Sequence, residues 1–436
     1  MAKLVKIAML MVVALIVFAG CTQDAQDGQA AQVPAGGAAA QPADGAGQVP
    51  VVLDVLWFSD MDEGESILRL AELYREDNPH VTIELIEVPY FDLEDRLRNL
   101  LIGGMPPAIA RLTGLGPWQG HLVDLFEYLG TDFADNFNDG LRFYFDGHMY
   151  AAPKDVTANG IIYNRTAFEA AGVSVPQNED EIWTWEEWRE AMEQVVANSH
   201  VTYGLVFDRT THRFSTLMYQ AGASFLTPDL RSSNINTPEM YRAISFFKEL
   251  HDDGIIPAAV WLGAENPNLL FRTGQIAMHF AGSWMLANYQ AEITEFEWGF
   301  TYLPRDARRS SVPGGKFLVA LQGSGVEYEA ARFIEWMSRP EINAMFMLEN
   351  NFISQVRGNE VLDYEFGAEF FQIFASDLAA SGPQPGAEWG FPEFMSRINV
   401  DFREGLAEVL AGALSIQGFL DELDALATEI LEELDN

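Results

Sequence analysis

Chemistry in this chain has to come from carboxylates, amides, guanidiniums and aromatic rings. The sequence has no His-Glu-x-x-His pair to hold a catalytic zinc, no Gly-x-Ser-x-Gly elbow to expose a nucleophile and no Walker loop to wrap a phosphate. Gly114-Leu115-Gly116 lacks the third glycine of a dinucleotide fingerprint and reads as a loop. Asp60-Met61-Asp62-Glu63-Gly64 opens like a calcium loop, but the third acid and the twelfth-position Glu are missing. Seven histidines are scattered without metal spacing, so no metal and no cofactor is expected. The single cysteine, Cys21, rules out an intramolecular disulfide, a cysteine-based zinc site and an iron–sulfur centre. A carboxylate pair for glycoside hydrolysis stays open, because 64 acids allow many pairs and their separation is not legible in sequence.

Composition narrows the partners. The 436 residues suggest two or three domains. With 48% hydrophobic and 21% charged residues, the chain can bury a sizeable core. A net charge of −38 argues against nucleic acid, whose phosphates attract basic patches, and against electrostatic docking on anionic lipid.

The amino terminus has its own pattern. Lys3 and Lys6 precede an unbroken apolar run from Ile7 to Ala19, followed by Gly20 and Cys21. That is a secretory signal, and its run is short of the ~20 residues a spanning helix needs. Phe18-Ala19-Gly20-Cys21 resembles the lipobox of bacterial lipoproteins, with Phe18 where Leu is usual. The resemblance implies lipidation of Cys21 after removal of residues 1–20, and anchoring outside the cell membrane. Residues 21–50, rich in Ala, Gly, Gln and Pro, cannot bury enough apolar surface to fold and read as a disordered tether.

From residue 51 onward, strands and helices alternate. Val51 to Phe58 is an almost continuous apolar run, as in a buried parallel strand. Ile67, Leu68, Ala71 and Tyr74 share a helical face, and Asn78-Pro79 stops that helix. Val81, Ile83 and Leu85 alternate as a strand, and Asp92 to Leu101 reads as a helix ended by Gly103-Gly104. Thr184-Trp185-Glu186-Glu187 has capping-box spacing, and Thr237-Pro238 opens a helix that Gly254 closes. Ala330 to Met337 is helical, as is the amphipathic run from Ile416 to Leu434. Such alternation predicts an α/β fold with a mostly parallel sheet.

The order of these elements resembles the family 1, sugar-type extracellular solute-binding proteins of bacterial ABC importers, the maltose-binding-protein group. Segments carrying the likeness include Tyr74–Pro79, Leu101–Pro107, Asp146–Pro153, Asn159–Asn164, Phe271–Met278, Gly282-Ser283-Trp284, Pro313-Gly314-Gly315 and Ser338–Glu341. Ala108 stands where Asp commonly follows the proline. The resemblance implies a periplasmic-binding-protein-like fold: two α/β lobes, a ligand cleft and three chain crossings between them. The crossings are expected near Asp155–Thr157, Gly314–Val319 and Ser354–Gly358. The N-lobe would then be 51–155 plus 318–355, and the C-lobe 157–314 plus 358–436. It also implies a non-enzymatic, monomeric receptor that closes on a carbohydrate and delivers it to ABC permease subunits. A polyol, glycerol phosphate or other solute is the alternative ligand, and a secreted carbohydrate-active enzyme the alternative class.

Sugar recognition needs polar groups that each bond two neighbouring hydroxyls, and flat aromatic surface for the C–H faces. Near the expected cleft the sequence offers Asp60 after the first strand, Arg111 after Ile109-Ala110, and Asp155 and Asn159 about the first crossing. Trp261 and Trp389 fall in Gly/Pro-bounded loops, and Trp284 occupies the family's Gly-x-Trp position, where an aromatic platform is common. Gly314 and Gly315 offer unobstructed backbone N–H groups, and Arg357 sits at the third crossing. Trp118 and the group Trp183, Trp185 and Trp188 read as packing.

Overall fold

The structure is a computed structural model and describes residues 49–59, 63–138, 144–145, 147–263 and 265–434. Cys21, the signal peptide, residues 21–48 of the tether and Asp60 lie outside the described residues.

Eleven strands are described: β1 Val51–Trp57, β2 Val81–Glu87, β3 Ile109–Leu112, β4 Tyr144–Phe145, β5 His148–Met149, β6 Ala152–Asn164, β7 Tyr203–Phe207, β8 Ile276–Gly282, β9 Trp298–Thr301, β10 Pro313–Ala320 and β11 Ile353–Ser354. Nine of them form one sheet of order β2-β1-β3-β10-β6-β8-β7, with β9 and β11 also on β6. The apolar run of β1 pairs in parallel with β2 and β3, as a strand buried on both faces should. Parallel pairing recurs at β7–β8. The middle of the sheet differs from the mostly parallel expectation, because β10 runs antiparallel to both β3 and β6, and β6 antiparallel to β8. The reason is topological: β6 leads from the core around Ala152 to the core around Tyr163 and β10 leads back from the second to the first, so neighbouring strands crossing the same junction in opposite senses run antiparallel.

Two bodies of core flank this middle. Buried side chains from Leu53 to Ala152 and from Phe317 to Val356 pack together on both faces of β1, β3 and β10. Those from Ala158 to Val312 and from Phe370 to Leu431 form a larger second core. The chain therefore passes between cores three times: along β6, along β10 and after β11. The passages meet at one point. Asp155 of β6 is in register with Lys316 of β10 on one side and Ser354 of β11 on the other. The register with β10 shifts between Lys316 and Phe317, so a bulge lies at the crossing.

Local signals account for the helices. The Thr184 hydroxyl accepts from the Glu187 N–H at 3.2 Å, and the Glu187 carboxylate accepts from the Thr184 N–H at 2.7 Å. That closes the capping box of the helix Trp185–Asn198. Thr237 caps the helix Pro238–Asp252, and Gly254 beyond it takes a φ of 70°, the left-handed turn glycine allows. The helix Glu63–Asp77 stops just before Asn78-Pro79, and the terminal helix runs Ile416–Leu434. Its apolar stripe, including Phe419, Leu423 and Ile430, packs on the second core. Among the described residues no helix is long and apolar enough to cross a membrane.

Candidate ligand site

Three of the expected residues gather around the first turns of the helix Thr211–Gln220, which Thr210 caps by accepting the Arg213 N–H at 3.1 Å. Asn159, fully buried on β6, donates to the His212 carbonyl at 3.1 Å and to the Thr216 hydroxyl at 2.8 Å. Its side-chain oxygen accepts from Arg213 at 3.0 Å. Trp389 ends the short helix Gln384–Trp389, donates its N–H to the Ser215 hydroxyl at 3.2 Å and meets the His212 ring edge-on at 4.6 Å. Trp284 follows β8 in a single 3-10 turn. The Arg213 guanidinium lies 3.9 Å from the centroid of its ring, a cation–π contact. Gly282 is required beneath it, since a Cβ there would fall 2.0 Å from the indole. Trp284 is half-buried and packs against both cores.

Arg213 is held from several sides. It donates to Nδ1 of His212 at 2.7 Å and sits 3.4 Å from an Asp208 carboxylate oxygen. Because His212 Nδ1 faces a donor it must accept, so Nε2 carries the hydrogen and donates to the Pro313 carbonyl at 3.2 Å. Burial and then the neighbouring guanidinium push the His212 pKa down to about 3, so the ring is neutral at physiological pH. Asp208 extends the chain of contacts to Nε2 of His279 at 3.1 Å, and His279 meets the Tyr289 hydroxyl at 2.6 Å.

A second group lies at the crossing itself. Glu63, Arg111, Lys154, Asp155 and Lys316 are each at most 5% exposed. Lys316 is 3.7 Å from Asp155, and Arg111 is 3.5 Å from Glu63. Arg111 also donates to the Phe58 carbonyl, and its guanidinium is 4.7 Å and 4.5 Å from the rings of Trp57 and Phe58. Lys154 has its ammonium 3.5 Å from the ring centroid of Phe346. Burial lowers its pKa to about 7 against the opposing pull of Asp155. Among the described residues, three basic side chains thus face two carboxylates with little exposure to solvent.

Of the other expected residues, Gly314 borders the first group, since a Cβ there would lie 3.5 Å from the His212 ring, while Arg357 and Trp261 are placed apart. Gly314 and Gly315 lie in the β10–β6 ladder opposite Thr157 and Val156. A Cβ at Gly314 would fall 2.8 Å from the Thr157 hydroxyl, and one at Gly315 would fall 2.6 Å from the Asp155 carbonyl, so close strand pairing itself demands glycine at both. Arg357 is exposed, and it ties the third passage to the first core by donating to the Phe137 carbonyl at 2.9 Å. Trp261 is not in a loop. It ends the short helix Ala258–Trp261, is fully buried, donates to the Phe207 carbonyl at 3.2 Å and packs edge-on against Phe247. Trp118, Trp185 and Trp188 are buried packing residues.

His212 and Arg213 were not singled out by sequence. Their signal was present: a Thr cap followed by a basic pair in a strongly acidic chain.

Residues 59–344 match the sequence pattern of the family described as bacterial extracellular solute-binding protein. A multiple sugar-binding protein of Streptococcus mutans is 22% identical over 311 residues, covering 65% of this chain and 70% of its own. The sn-glycerol-3-phosphate-binding periplasmic protein of Escherichia coli is also 22% identical, covering 80% of this chain and 82% of its own. Among solved structures, a maltose/maltodextrin-binding domain from Bdellovibrio bacteriovorus bound to maltotriose superposes with a TM-score of 0.72 at 21% identity, covering 88% of this chain and all of that one. The fold is thus periplasmic-binding-protein-like, and with two thirds of its length matching the family pattern, the chain belongs to the bacterial extracellular solute-binding proteins.

Proposed function

We propose that this protein is the extracytoplasmic receptor of an ABC importer, capturing a mono- or oligosaccharide between two lobes and presenting it to the permease without chemical turnover. The observation that carries it is Trp284, a half-buried indole packed against both cores and set among polar side chains. An aromatic surface flanked by fixed hydrogen-bonding groups suits a pyranose, whose C–H face is apolar and whose rim is polar. The multiple sugar-binding relative and the maltotriose-bound structure point the same way.

The lobes are 51–155 plus 318–355 and 157–314 plus 358–436, hinged where Asp155, Lys316 and Ser354 meet. Contacts to both lobes exist together only when they are closed, so a ligand shifts that equilibrium by its differential affinity. Of the residues expected from sequence, Trp284, Trp389 and Asn159 form the C-lobe side of the site, with His212 and Arg213 added. Gly314, Gly315 and Arg357, with Asp60 from the sequence, are further ligand contacts in this reading, whereas the burial of Asp155, Trp261 and Arg111 suits support of the site from within. Cys21 carries the lipid anchor, and the mature protein works as a tethered monomer.

A thermal-shift screen of saccharides, with glycerol 3-phosphate as the competing solute class, tests the ligand. A sugar at 100 times its Kd adds about 2.7 kcal/mol of stability. Stabilisation by glycerol 3-phosphate alone would replace the sugar with the solute of the Escherichia coli relative. Detergent partitioning tests the anchor: the parent chain should enter the detergent phase and Cys21→Ser should not.

A further inference from the structure

The two cores also touch through elements that are not part of the three crossing strands. The 3-10 turn Gly116–His121 belongs to the first core, where Leu115, Trp118 and Leu122 are buried. The helix Pro392–Leu410 belongs to the second, through Phe394, Met395 and Ile398. The two meet at Gly116 and the first turn of the helix. A Cβ on Gly116 would fall 2.4 Å from the Pro392 carbonyl oxygen and 2.9 Å from its carbon. Those are backbone atoms at the start of a long helix and cannot swing aside. Three residues on, the Gln119 side-chain amide donates to the Glu393 carboxylate at 2.8 Å. The other carboxylate oxygen of Glu393 is buried and has no hydrogen-bond partner among the described residues. Gln119 therefore supplies the bond that offsets much of that group's desolvation.

We propose that Gly116 and Gln119, with Pro392 and Glu393, form a clasp between the lobes that sets the open–closed balance, and so the apparent affinity, without touching the solute. Two features carry it. Glycine at 116 is demanded by the approach of the opposite core. The polar bond beside it joins side chains 274 residues apart in sequence and spans the same junction. A clasp of this kind raises the population of the binding-competent form, and apparent affinity scales with that population. The inference rests on the two-lobe reading above, but not on the identity of the solute.

The test uses the full chain with Cys21→Ser, spin-labelled at Glu94→Cys and Asp401→Cys, exposed positions on the first and second cores. Pulsed dipolar spectroscopy on the protein alone should give one short distance. Gly116→Ala should shift the distribution to longer distances, and Gln119→Leu should do so more weakly. Circular dichroism and melting check that each variant folds. Gln119→Leu keeps the test valid if Gly116→Ala does not. An open distribution in the parent, or unchanged distances in folded variants, overturns the clasp. Because no solute is added, failure of every sugar to bind would overturn the proposed function and leave this measurement standing.

Discussion

At the scale of single residues, Trp284 and Lys154 make opposite demands. Trp284, half-buried and proposed as a ligand platform, is tied to both cores at once. Removing its indole should cost roughly 1.5–3 kcal/mol of apolar contact with a stacked sugar, or about 10- to 100-fold in affinity. Trp284→Phe should retain part of that, since a flat ring remains. Because Arg213 and both cores pack on the indole, the apo melting temperature of Trp284→Ala should also fall. Titration calorimetry beside an apo melt separates the two effects: normal affinity with a lowered melt would make Trp284 a packing residue only. Lys154 is a liability in the folded state. An unfolded lysine titrates near 10.4 and this one at about 7, so between those values the unfolded chain holds a proton that the native protein lacks. Stability contributed at this site rises with pH across that window and is at its lowest, and flat, below about 7. Lys154→Met leaves Arg111 and Lys316 balanced against Glu63 and Asp155. It should stabilise the protein by about 1–4 kcal/mol near pH 6, with a smaller gain near pH 9. Denaturant titrations at the two pH values measure the difference, and a loss of stability at both would mean that the ammonium is a required partner. Neither the Arg213–Trp284 contact nor this buried charge group was legible in sequence, because both join side chains brought together only by the sheet.

At the scale of elements, the helix Thr211–Gln220 organises the site, and one cap fixes its start. Thr210→Ala should cost about 1 kcal/mol of stability. It should also weaken solute binding, because His212 and Arg213 sit in the turn that the cap fixes. A cap of equal type at Thr184, on a helix with no part in the site, is the control: Thr184→Ala should lower the melt and leave affinity alone. Element boundaries were largely legible, since caps, prolines and left-handed glycines are local signals. The capping box at Thr184, the Thr237-Pro238 start and the terminal helix all stand where the sequence puts them. Strand direction was less so. Apolar runs identify β1 and β2 as strands, but nothing in Pro313–Ala320 announces that it runs against both neighbours. Trp261 was misplaced for a related reason: flanking Gly and Pro suggest a loop, yet the short helix between them turns the indole into the core.

At the scale of the whole molecule, family motifs in order made the fold legible, while long-range chemistry stayed hidden. The clasp at Gly116 joins segments with no sequence signature linking them. Small-angle scattering of Gly116→Ala, which opens the clasp, should show a smaller radius of gyration with a binding saccharide than without it. A molecule already shut by the clasp should show little change. β6 has a further consequence. All thirteen of its residues are buried, and its ladder serves β10 and β11 at one end and β8 and β9 at the other. Neither core can melt without tearing the hydrogen bonds of a strand it shares with the other. Heating should therefore give one calorimetric transition, not two. The amides of Val156 to Ile162 should be among the last to exchange their protons for deuterium, opening only when the entire folded unit does.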